Sequence, residues 1–152
     1  MNTIDKYTDP TTFAKLISDE ISDFTDDYMT SVATRGFMDC KSLNSITLPN
    51  VSALSGTQIF KGCSNLKTIN LKSVTAVTGT YNFDYCTSLI EIKLPKVTTI
   101  AAYTFNNCTA LTDIYVPFAS DSSSAFGAPW GATNATVHYS TVFDEDGNPV
   151  TT

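Results

Sequence analysis

One motif recurs along most of this chain at a nearly constant interval. The order Phe-x-x-Cys-x-x-Leu-x-x-Ile-x-Leu begins at Phe37 and returns, with small variations, at Phe60, Phe83 and Phe105. The four cysteines lie 23, 23 and 22 residues apart. A repeat of roughly 20 to 50 residues is one supersecondary unit, which buries its apolar side only against the next unit. The period therefore predicts a stacked solenoid, in which each repeat contacts its two neighbours.

Each repeat contains two stretches with the pattern of a short strand. Apolar and polar residues alternate in the Ile-x-Leu part, which is typical of a strand with one buried face. The inward-pointing pairs are predicted to be Ile46/Leu48, Ile69/Leu71, Ile92/Leu94 and Ile114/Val116. A second extended stretch is predicted at 51–54, 74–77 and 97–100. The Phe-x-x-Cys-x-x-Leu part then turns the chain and closes the repeat.

The positions that the repeats share are predicted to form the interior. Cysteine is among the most buried residue types and packs as a small apolar side chain. Spacings of 22 and 23 residues fit no standard zinc pattern and no disulfide framework of closely spaced cysteines. We therefore expect no metal ion and no cofactor. The predicted structural ladder consists of Cys40, Cys63, Cys86 and Cys108 with Phe37, Phe60, Phe83 and Phe105.

The two ends differ from the repeats, so the chain is divided into residues 1–30, 31–117 and 118–152. Residues 1–30 are predicted to form an N-terminal helical cap, because Asp9 and Pro10 suit the start of a helix. The apolar residues that follow have helical spacing: Phe13, Leu16, Ile17, Ile21 and Phe24. Such a cap would cover the open end of the first repeat.

Residues 118–152 are predicted to form a C-terminal cap and a hairpin tail. Trp130, the only tryptophan, is expected to plug the open end of the solenoid. Alternation around Val137 predicts a final strand, stacked on the strand of the fourth repeat. Residues 141–150 then have the pattern of a hairpin with Gly147 at its turn.

Charge is distributed unevenly between these parts. The net charge of −6 divides into −5 for residues 1–30, +3 for residues 31–117 and −4 for residues 118–152. Three positive charges over four repeats fall far short of the basic stripe that nucleic-acid binding needs. Apolar runs are too short to cross a bilayer, and the N-terminus has no apolar signal-peptide core. We expect no nucleic-acid or membrane partner, and a cytoplasmic or virion location.

Catalytic motifs are absent from the sequence. It contains no Gly-rich phosphate loop, no His-Glu-x-x-His and no Gly-x-Ser-x-Gly. His138 is the only histidine and is expected to be structural or exposed, because it has no repeated partner. The acidic stretch at 144–146 is expected to be a turn, because too few residues follow it to complete a calcium loop. We therefore expect that the protein is not an enzyme.

The combination Phe-x-x-Cys-x-x-Leu-x-x-Ile-x-Leu-Pro-x-Val-x-x-Ile closely resembles the BspA-type (Treponema-type) leucine-rich repeat. The ending Pro-Trp-Gly…Asn-Ala-Thr-Val-His-Tyr resembles the terminal segment of such repeats in phage and gut-bacterial proteins. Members occur as bacterial adhesins, protist surface proteins and phage tail-associated proteins, so the resemblance implies a binding scaffold without catalytic residues. One departure is Lys72, which stands where the other repeats have Pro49, Pro95 and Pro117.

The expected fold is thus a leucine-rich repeat solenoid, a β-rich α/β right-handed coil of about four to five turns with an N-terminal helical cap and a C-terminal strand and hairpin cap. Outward side chains of its strands should form two columns, with small hydroxyl groups in the early repeats and larger side chains later. One column is Ser45, Thr68, Glu91 and Asp113, and the other is Thr47, Asn70, Lys93 and Tyr115. Aromatic and charged side chains are the usual anchors of interfaces. The candidate binding face is therefore Asn70, Ile90, Glu91, Lys93, Asp113 and Tyr115. A solvated strand surface remains the alternative, since isolated exposed apolar residues are common.

The size of this face bears on how the protein would bind a partner. Four or five strands spaced by about 4.8 Å make a sheet only about 20 Å tall, whereas a stable interface usually buries about 800 Å² on each partner. Tight binding would need additional surface around Tyr81, Tyr85 and Tyr103, an end cap, or several copies presented together. A homo-oligomer and a multimeric context such as a phage tail are compatible with this.

These observations predict a non-enzymatic protein-binding or structural repeat module with an unidentified protein partner. We expect it to be encoded by a phage or prophage, and to be tail-associated or receptor-binding. One alternative is a small soluble phage inhibitor of a host protein, of the anti-defence type. A further alternative is a fragment of a bacterial surface adhesin.

Overall fold

The computed structural model describes residues 2–4, by their backbone alone, and residues 20–151. Short strands are its main regular structure. Their bounds are β1 Asn2–Ile4, β2 Asp23–Thr25, β3 Met29–Val32, β4 Ser45–Thr47, β5 Ala53–Leu54, β6 Thr68–Asn70, β7 Ala76–Val77, β8 Glu91–Lys93, β9 Thr99–Ile100, β10 Asp113–Tyr115 and β11 Thr136–His138. Three successive repeats each contribute a three-residue strand followed by a two-residue strand.

The three-residue strands stack in parallel along one side of the molecule. They pair in the order β2–β4–β6 and β8–β10–β11, with equivalent residues opposite one another. Ile46 lies opposite Ile69, and Ile92 lies opposite Ile114. Strands β6 and β8 are neighbours, but no hydrogen-bonded ladder joins them in the described chain. The stack makes about five turns, and the predicted leucine-rich repeat solenoid is confirmed.

A second parallel sheet, formed by the two-residue strands, lies on another side of each turn. Leu54 lies opposite Val77, and Val77 lies opposite Ile100, in the order β5–β7–β9. These strands fall within the extended stretches predicted at 51–54, 74–77 and 97–100. In addition, β1 pairs in parallel with β3. Each turn is therefore joined to the next at more than one place around its circumference.

The interior consists of the side chains that the repeats share. The rings of Phe37, Phe60, Phe83 and Phe105 are buried and stack on one another, with successive centroids 5.4, 5.2 and 5.5 Å apart. The four cysteines are also buried and are not joined by disulfides. Three of the thiols donate a hydrogen bond to the phenylalanine carbonyl oxygen of the preceding repeat, at 3.0 Å for Cys63, 3.2 Å for Cys86 and 3.0 Å for Cys108.

The N-terminal part differs from its prediction. Most of the helical cap predicted over residues 1–30 falls on residues 5–19, which lie outside the described residues. Within residues 20–30 the prediction is wrong, because β2 and the start of β3 lie there instead of a helix. Phe24 lies opposite Ile46 in the β2–β4 ladder, and its ring packs edge-on against Phe37 with 5.4 Å between centroids. Residues 20–32 thus form a further turn of the solenoid.

The C-terminal part closes the other end. Strand β11 pairs in parallel with β10, so the predicted final strand is confirmed. Trp130 is 1% exposed and packs edge-on against Phe105 with 6.4 Å between centroids. Residues 141–150 fold back as a hairpin, in which Phe143 bridges Pro149 and the backbone N–H of Val150 donates to the carbonyl of Val142. We call these ten residues the C-terminal hairpin.

Helical structure is limited to a single 3-10 turn at Ser123–Ala125 within residues 2–4 and 20–151. Nothing in these ranges forms a helix of the length and apolar character that crossing a bilayer requires.

Candidate binding face

Four of the predicted face residues lie on two adjacent strands in register. Glu91 lies opposite Asp113, and Lys93 lies opposite Tyr115. Because these residues alternate with buried Ile92 and Ile114, their side chains point away from the core. The structure therefore brings together the later part of both predicted columns.

Strand β11 extends the same columns by one further turn. Thr136 lies opposite Asp113, and His138 lies opposite Tyr115. The rings of Tyr115 and His138 stack with 4.4 Å between centroids and 11° between their planes. We use the name C-terminal face for the outward side chains of β8, β10 and β11 with the residue before β8: Ile90, Glu91, Lys93, Asp113, Tyr115, Thr136 and His138.

Hydrogen bonds fix the polar side chains of the C-terminal face. His138 Nε2 lies 2.7 Å from Asp113 Oδ1, and Thr112 donates its hydroxyl to Asp113 Oδ2 at 2.7 Å. The hydroxyl of Thr112, followed by the His138 ring, lowers the pKa of Asp113 below its ordinary value. The Lys93 ammonium lies 2.8 Å from Glu91. The face thus presents an aromatic stack beside the Lys93–Glu91 ion pair and the His138–Asp113 hydrogen bond, both of which are part-exposed.

The other two predicted residues lie at the margin of this arrangement. Ile90 is 56% exposed directly before β8 and adds an apolar side chain to the C-terminal face. Asn70 lies at the end of β6, which no hydrogen-bonded ladder joins to β8 in the described chain. Its Oδ1 accepts the backbone N–H of Lys72 at 3.2 Å. Proline, which stands at this position in the other repeats, has no N–H to make this bond. Asn70 is therefore separate from the C-terminal face.

The comparison with known families decides what kind of repeat this is. The profile of the family described as “BspA type Leucine rich repeat region (6 copies)” matches residues 9–127, which is 119 of the 152 residues. The chain belongs to this family. The match begins well before Phe37, where the first full repeat starts, in agreement with the additional turn at residues 20–32. A search of curated proteins gave no match.

Two solved structures are similar to this BspA-type solenoid. A T. pallidum leucine-rich repeat protein (TpLRR) is 20% identical with a TM-score of 0.55, over 79% of this chain and 53% of that chain. A leucine-rich repeat protein from Bacteroides ovatus ATCC 8483 is 22% identical with a TM-score of 0.56, over 79% of this chain and 27% of that chain. The chain thus spans about half and about a quarter of their lengths. Identity this low establishes the fold alone.

Three cysteines of the BspA-type repeats, Cys63, Cys86 and Cys108, are held in their protonated form. Burial raises the pKa of Cys63 and Cys86 well above the ordinary thiol value, and that of Cys108 to about 12. Because the thiolate is the nucleophile and the metal ligand, these side chains serve packing at neutral pH. No group of three or more His, Cys, Asp or Glu side chains in residues 2–4 and 20–151 could hold a metal ion.

A second exposed surface is formed by tyrosines in the turns that close the repeats. Tyr81 and Tyr103 stack with 5.3 Å between ring centroids, and Tyr103 is 54% exposed. Tyr85 is 51% exposed, with the Lys61 ammonium 5.9 Å from its ring centroid. That ammonium is fixed by buried Asp84 at 2.8 Å. A contribution of these tyrosines to binding stays a prediction.

His138 is the functional candidate that the sequence interpretation missed. It was assigned no role because it occurs once and has no motif partner. The sequence signal that indicates His138 is the outward column of Thr47, Asn70, Lys93 and Tyr115. Extending Asn70, Lys93 and Tyr115 by one more period, onto the strand predicted around Val137, leads directly to His138.

Proposed function

We propose that the chain is a non-enzymatic protein-binding module that recognises its partner through the C-terminal face. The observation that carries this proposal is the in-register arrangement of Glu91, Lys93, Asp113, Tyr115 and His138 on three adjacent strands. Their side chains are positioned by backbone ladders and by one another, so little conformational entropy is lost when a partner binds. A stacked aromatic pair beside charged groups matches the composition of interface anchors.

The size of the C-terminal face supports presentation in several copies. Three strands at about 4.8 Å spacing span only about 10 Å across the sheet. A face this narrow buries much less than the area of about 800 Å² that each partner of a stable interface usually buries. Joining several weak sites raises the overall affinity by orders of magnitude without any new contact. On this basis we propose a phage-encoded, tail-associated or receptor-binding role, with the protein located in the virion.

An experiment that compares intact bacteria with a cytosolic extract separates this proposal from its alternatives. Tagged protein is incubated with each, and bound protein is quantified together with the oligomeric state by size-exclusion chromatography and light scattering. A receptor-binding part should be a stable homo-oligomer that binds intact cells. A monomer that binds only a cytosolic protein would support the inhibitor instead. A monomer that binds the cell surface would favour the adhesin.

A matched pair of variants assigns the binding to the face. The double variant Tyr115→Ala/His138→Ala removes the aromatic stack, and Thr25→Ala/Thr47→Ala truncates the same column at the opposite end of the solenoid. Binding should fall at least tenfold in the first variant and stay within twofold of the parent in the second, as expected when an anchor and a peripheral residue are removed. Equal loss in both variants would overturn the assignment to the C-terminal face.

A further inference from the structure

The stack of three-residue strands is interrupted at one place. Equivalent backbone groups are bonded on both sides of it: Leu48 N–H donates to the carbonyl of Asn70 at 3.0 Å, and Leu94 N–H donates to that of Tyr115 at 3.1 Å. Between β6 and β8 the corresponding bonds are missing from the described chain. The same two turns remain joined elsewhere, for example by Thr98 N–H to the Thr75 carbonyl at 2.8 Å. The opening is therefore local to this side of the solenoid.

The interruption leaves backbone donors and acceptors facing each other across a gap. In a parallel strand, successive residues direct their backbone groups alternately to the two sides. Because Thr68 donates to Asn44 on β4's side, the Lys67 carbonyl and Leu71 N–H face β8. By the same alternation, the Glu91 N–H and Lys93 carbonyl face β6. These four groups have no hydrogen-bond partner among the described residues, and they form the pattern of a strand edge.

A cleft of about 150 Å³ lies at this interruption. Its walls are residues 67–72 on one side and Glu91, Lys93 and Pro95 on the other. Ile69 is part-exposed there, whereas Ile46 and Ile92, which hold the same position in neighbouring repeats, are buried. The gap thus reaches down to a side chain of the core.

The C-terminal hairpin forms one end of this cleft. Its tip, at 146–148, is part of the lining. Gly147 has a φ of +85°, and a Cβ added there would lie 3.3 Å from Pro95 Cγ and 3.4 Å from Lys72 Cβ. Gly147 itself is buried by this contact. The tip therefore packs closely against the rim, and the cleft remains open beside it.

The charges around the cleft are unbalanced. Lys67 and Lys72 form no ion pair with any described residue, whereas Lys93 is paired with Glu91. Asp146 is the remaining charged group of the lining. The lining thus contains two lysines and one aspartate outside any ion pair of the described residues, and this excess of positive charge favours an anion.

We propose that this cleft, which we call the β6–β8 cleft, binds an extended acidic segment of a protein partner. The Cα atoms of β6 and β8 come within 8 Å of one another, which leaves no room for a further strand between them, since two strand spacings need about 9.6 Å. Carboxylates of the segment instead enter the opening, accept from the backbone N–H groups of Leu71 and Glu91, and contact the ammonium groups of Lys67 and Lys72. The proposal deepens the protein-binding role proposed above and rests on it, since it names the chemistry of the partner segment.

A synthetic peptide tests the cleft without the natural partner. An acetylated and amidated hexaglutamate peptide is titrated into the full chain by isothermal calorimetry, beside hexaglutamine and inorganic phosphate. We expect hexaglutamate to bind, and to bind more tightly than either comparison ligand. Affinity should fall about three- to fivefold in Lys67→Ala and in Lys72→Pro, as for the loss of an exposed ion pair. Asp146→Asn should bind about twofold more tightly, for the same electrostatic reason.

Two controls make the outcome specific. Lys72→Pro introduces the residue found at this position in the other repeats but also removes the N–H that donates to Asn70, so Lys72→Ala is measured beside it and should lose the same affinity. Lys41→Ala removes an exposed lysine of a different surface and should leave the affinity unchanged. Equal affinities for Lys67→Ala, Lys72→Pro and Lys41→Ala would overturn the proposal, as would no hexaglutamate binding. Phosphate binding as tight as the peptide would indicate a small-anion site instead and would also overturn it.

Amide hydrogen exchange supplies a second readout. The N–H groups of Leu71 and Glu91 should exchange fast in the free protein and become slower when hexaglutamate is added. The N–H of Thr68 should not change, because it is already bonded to Asn44. Unchanged exchange at Leu71 and Glu91 with saturating peptide would contradict bonding of the carboxylates to these N–H groups. If the peptide binds as expected but whole-cell and lysate binding fail, the cleft stands and the proposed biological role does not.

Discussion

At the scale of single residues, two positions in each repeat have a left-handed backbone. One is two residues before the phenylalanine and the other is just before the cysteine: Arg35, Gln58, Tyr81 and Tyr103, and Asp39, Gly62, Tyr85 and Asn107. Glycine, asparagine and aspartate tolerate this conformation, whereas a bulky side chain is strained by it. Tyr85 therefore occupies a position that the other repeats give to better-suited residues.

Replacing Tyr85 by glycine should stabilise the protein. The left-handed conformation costs a residue with a Cβ about 1 kcal/mol or more, and the contact with Lys61 offsets about 0.5 kcal/mol of this. We expect Tyr85→Gly to raise the free energy of unfolding by about 0.5 kcal/mol, measured by denaturant titration. Tyr28→Gly is the control, because Tyr28 is 80% exposed and its φ is not positive. It should lower stability by about 0.5 kcal/mol. The same sign for both variants would contradict this explanation.

The buried thiols of Cys63, Cys86 and Cys108 should make the protein sensitive to alkaline pH. Their pKa values are raised in the folded state, so below about pH 8.5 these thiols are protonated in both the folded and the unfolded chain. Above that, the unfolded thiols ionise first, and the stability that the thiols contribute is lost as the pH rises towards the folded values. Cys86→Ala should lower stability at pH 7 by about 1 to 3 kcal/mol, as a core truncation.

The stability of Cys86→Ala should then fall less steeply than that of the parent between about pH 8.5 and 11, because the variant has one buried thiol fewer. Denaturant titrations over this pH range provide the comparison, and lysine and tyrosine titrations cancel because both proteins contain them. Parallel pH profiles for Cys86→Ala and the parent would show that folding does not raise the pKa of the Cys86 thiol. Rapid reaction of all four native thiols with Ellman's reagent at pH 8 would show the same for the whole ladder.

At the scale of the strands, the repeat pattern carried most of the information. Alternation in the Ile-x-Leu part is enough to predict β4, β6, β8 and β10, and the apolar spacing after them predicts the two-residue strands. The final strand and the hairpin turn at Gly147 follow from equally local signals. These elements are predictable because each depends on residues close in sequence, and those of the repeats recur from turn to turn.

Residues 20–25 were not predictable in the same way, because their spacing is ambiguous. Ile21 and Phe24 are three residues apart, which suits both one turn of a helix and the Leu-x-x-Ile step of the repeat. Asp26 stands where the next repeat has Leu48, so the motif is incomplete. Residues 23–25 form a strand because they pair with β4 and because Phe24 packs on the ring of Phe37, and both are long-range contacts. The gap between β6 and β8 is hidden for the same reason, since residues 67–71 keep the repeat pattern.

A substitution in β2 tests whether this strand closes the stack. Phe24→Ser removes a part-buried ring that packs edge-on against Phe37, and should lower the free energy of unfolding by about 1 to 2 kcal/mol. Thr25→Ser, at the exposed neighbouring position, should stay within about 0.5 kcal/mol of the parent. Chemical denaturation of both variants is the measurement. No effect of Phe24→Ser would mean that its ring does not cover the first phenylalanine of the ladder.

At the scale of the whole molecule, interior and recognition positions are separated. The shared residues build about five similar turns, and they could be assigned from the sequence alone. The candidate site was predictable only in part, because its columns follow from the repeat whereas the stacking of Tyr115 on His138 depends on the last strand. The β6–β8 cleft depends on a hairpin that comes back from the end of the chain. Specific features therefore lie where the regular repeat is interrupted or ends.

Recognition of partners at the C-terminal face can be tested by replacing either Tyr115 or Thr47 with the photocrosslinker p-benzoylphenylalanine. The two positions belong to the same column and point to the same side, but they lie on β10 and β4, towards opposite ends of the stack. After incubation with intact bacterial cells and irradiation, a crosslinked partner should appear from position 115 and not from position 47. Crosslinking of equal strength from both positions, or from position 47 alone, would contradict recognition at the C-terminal face.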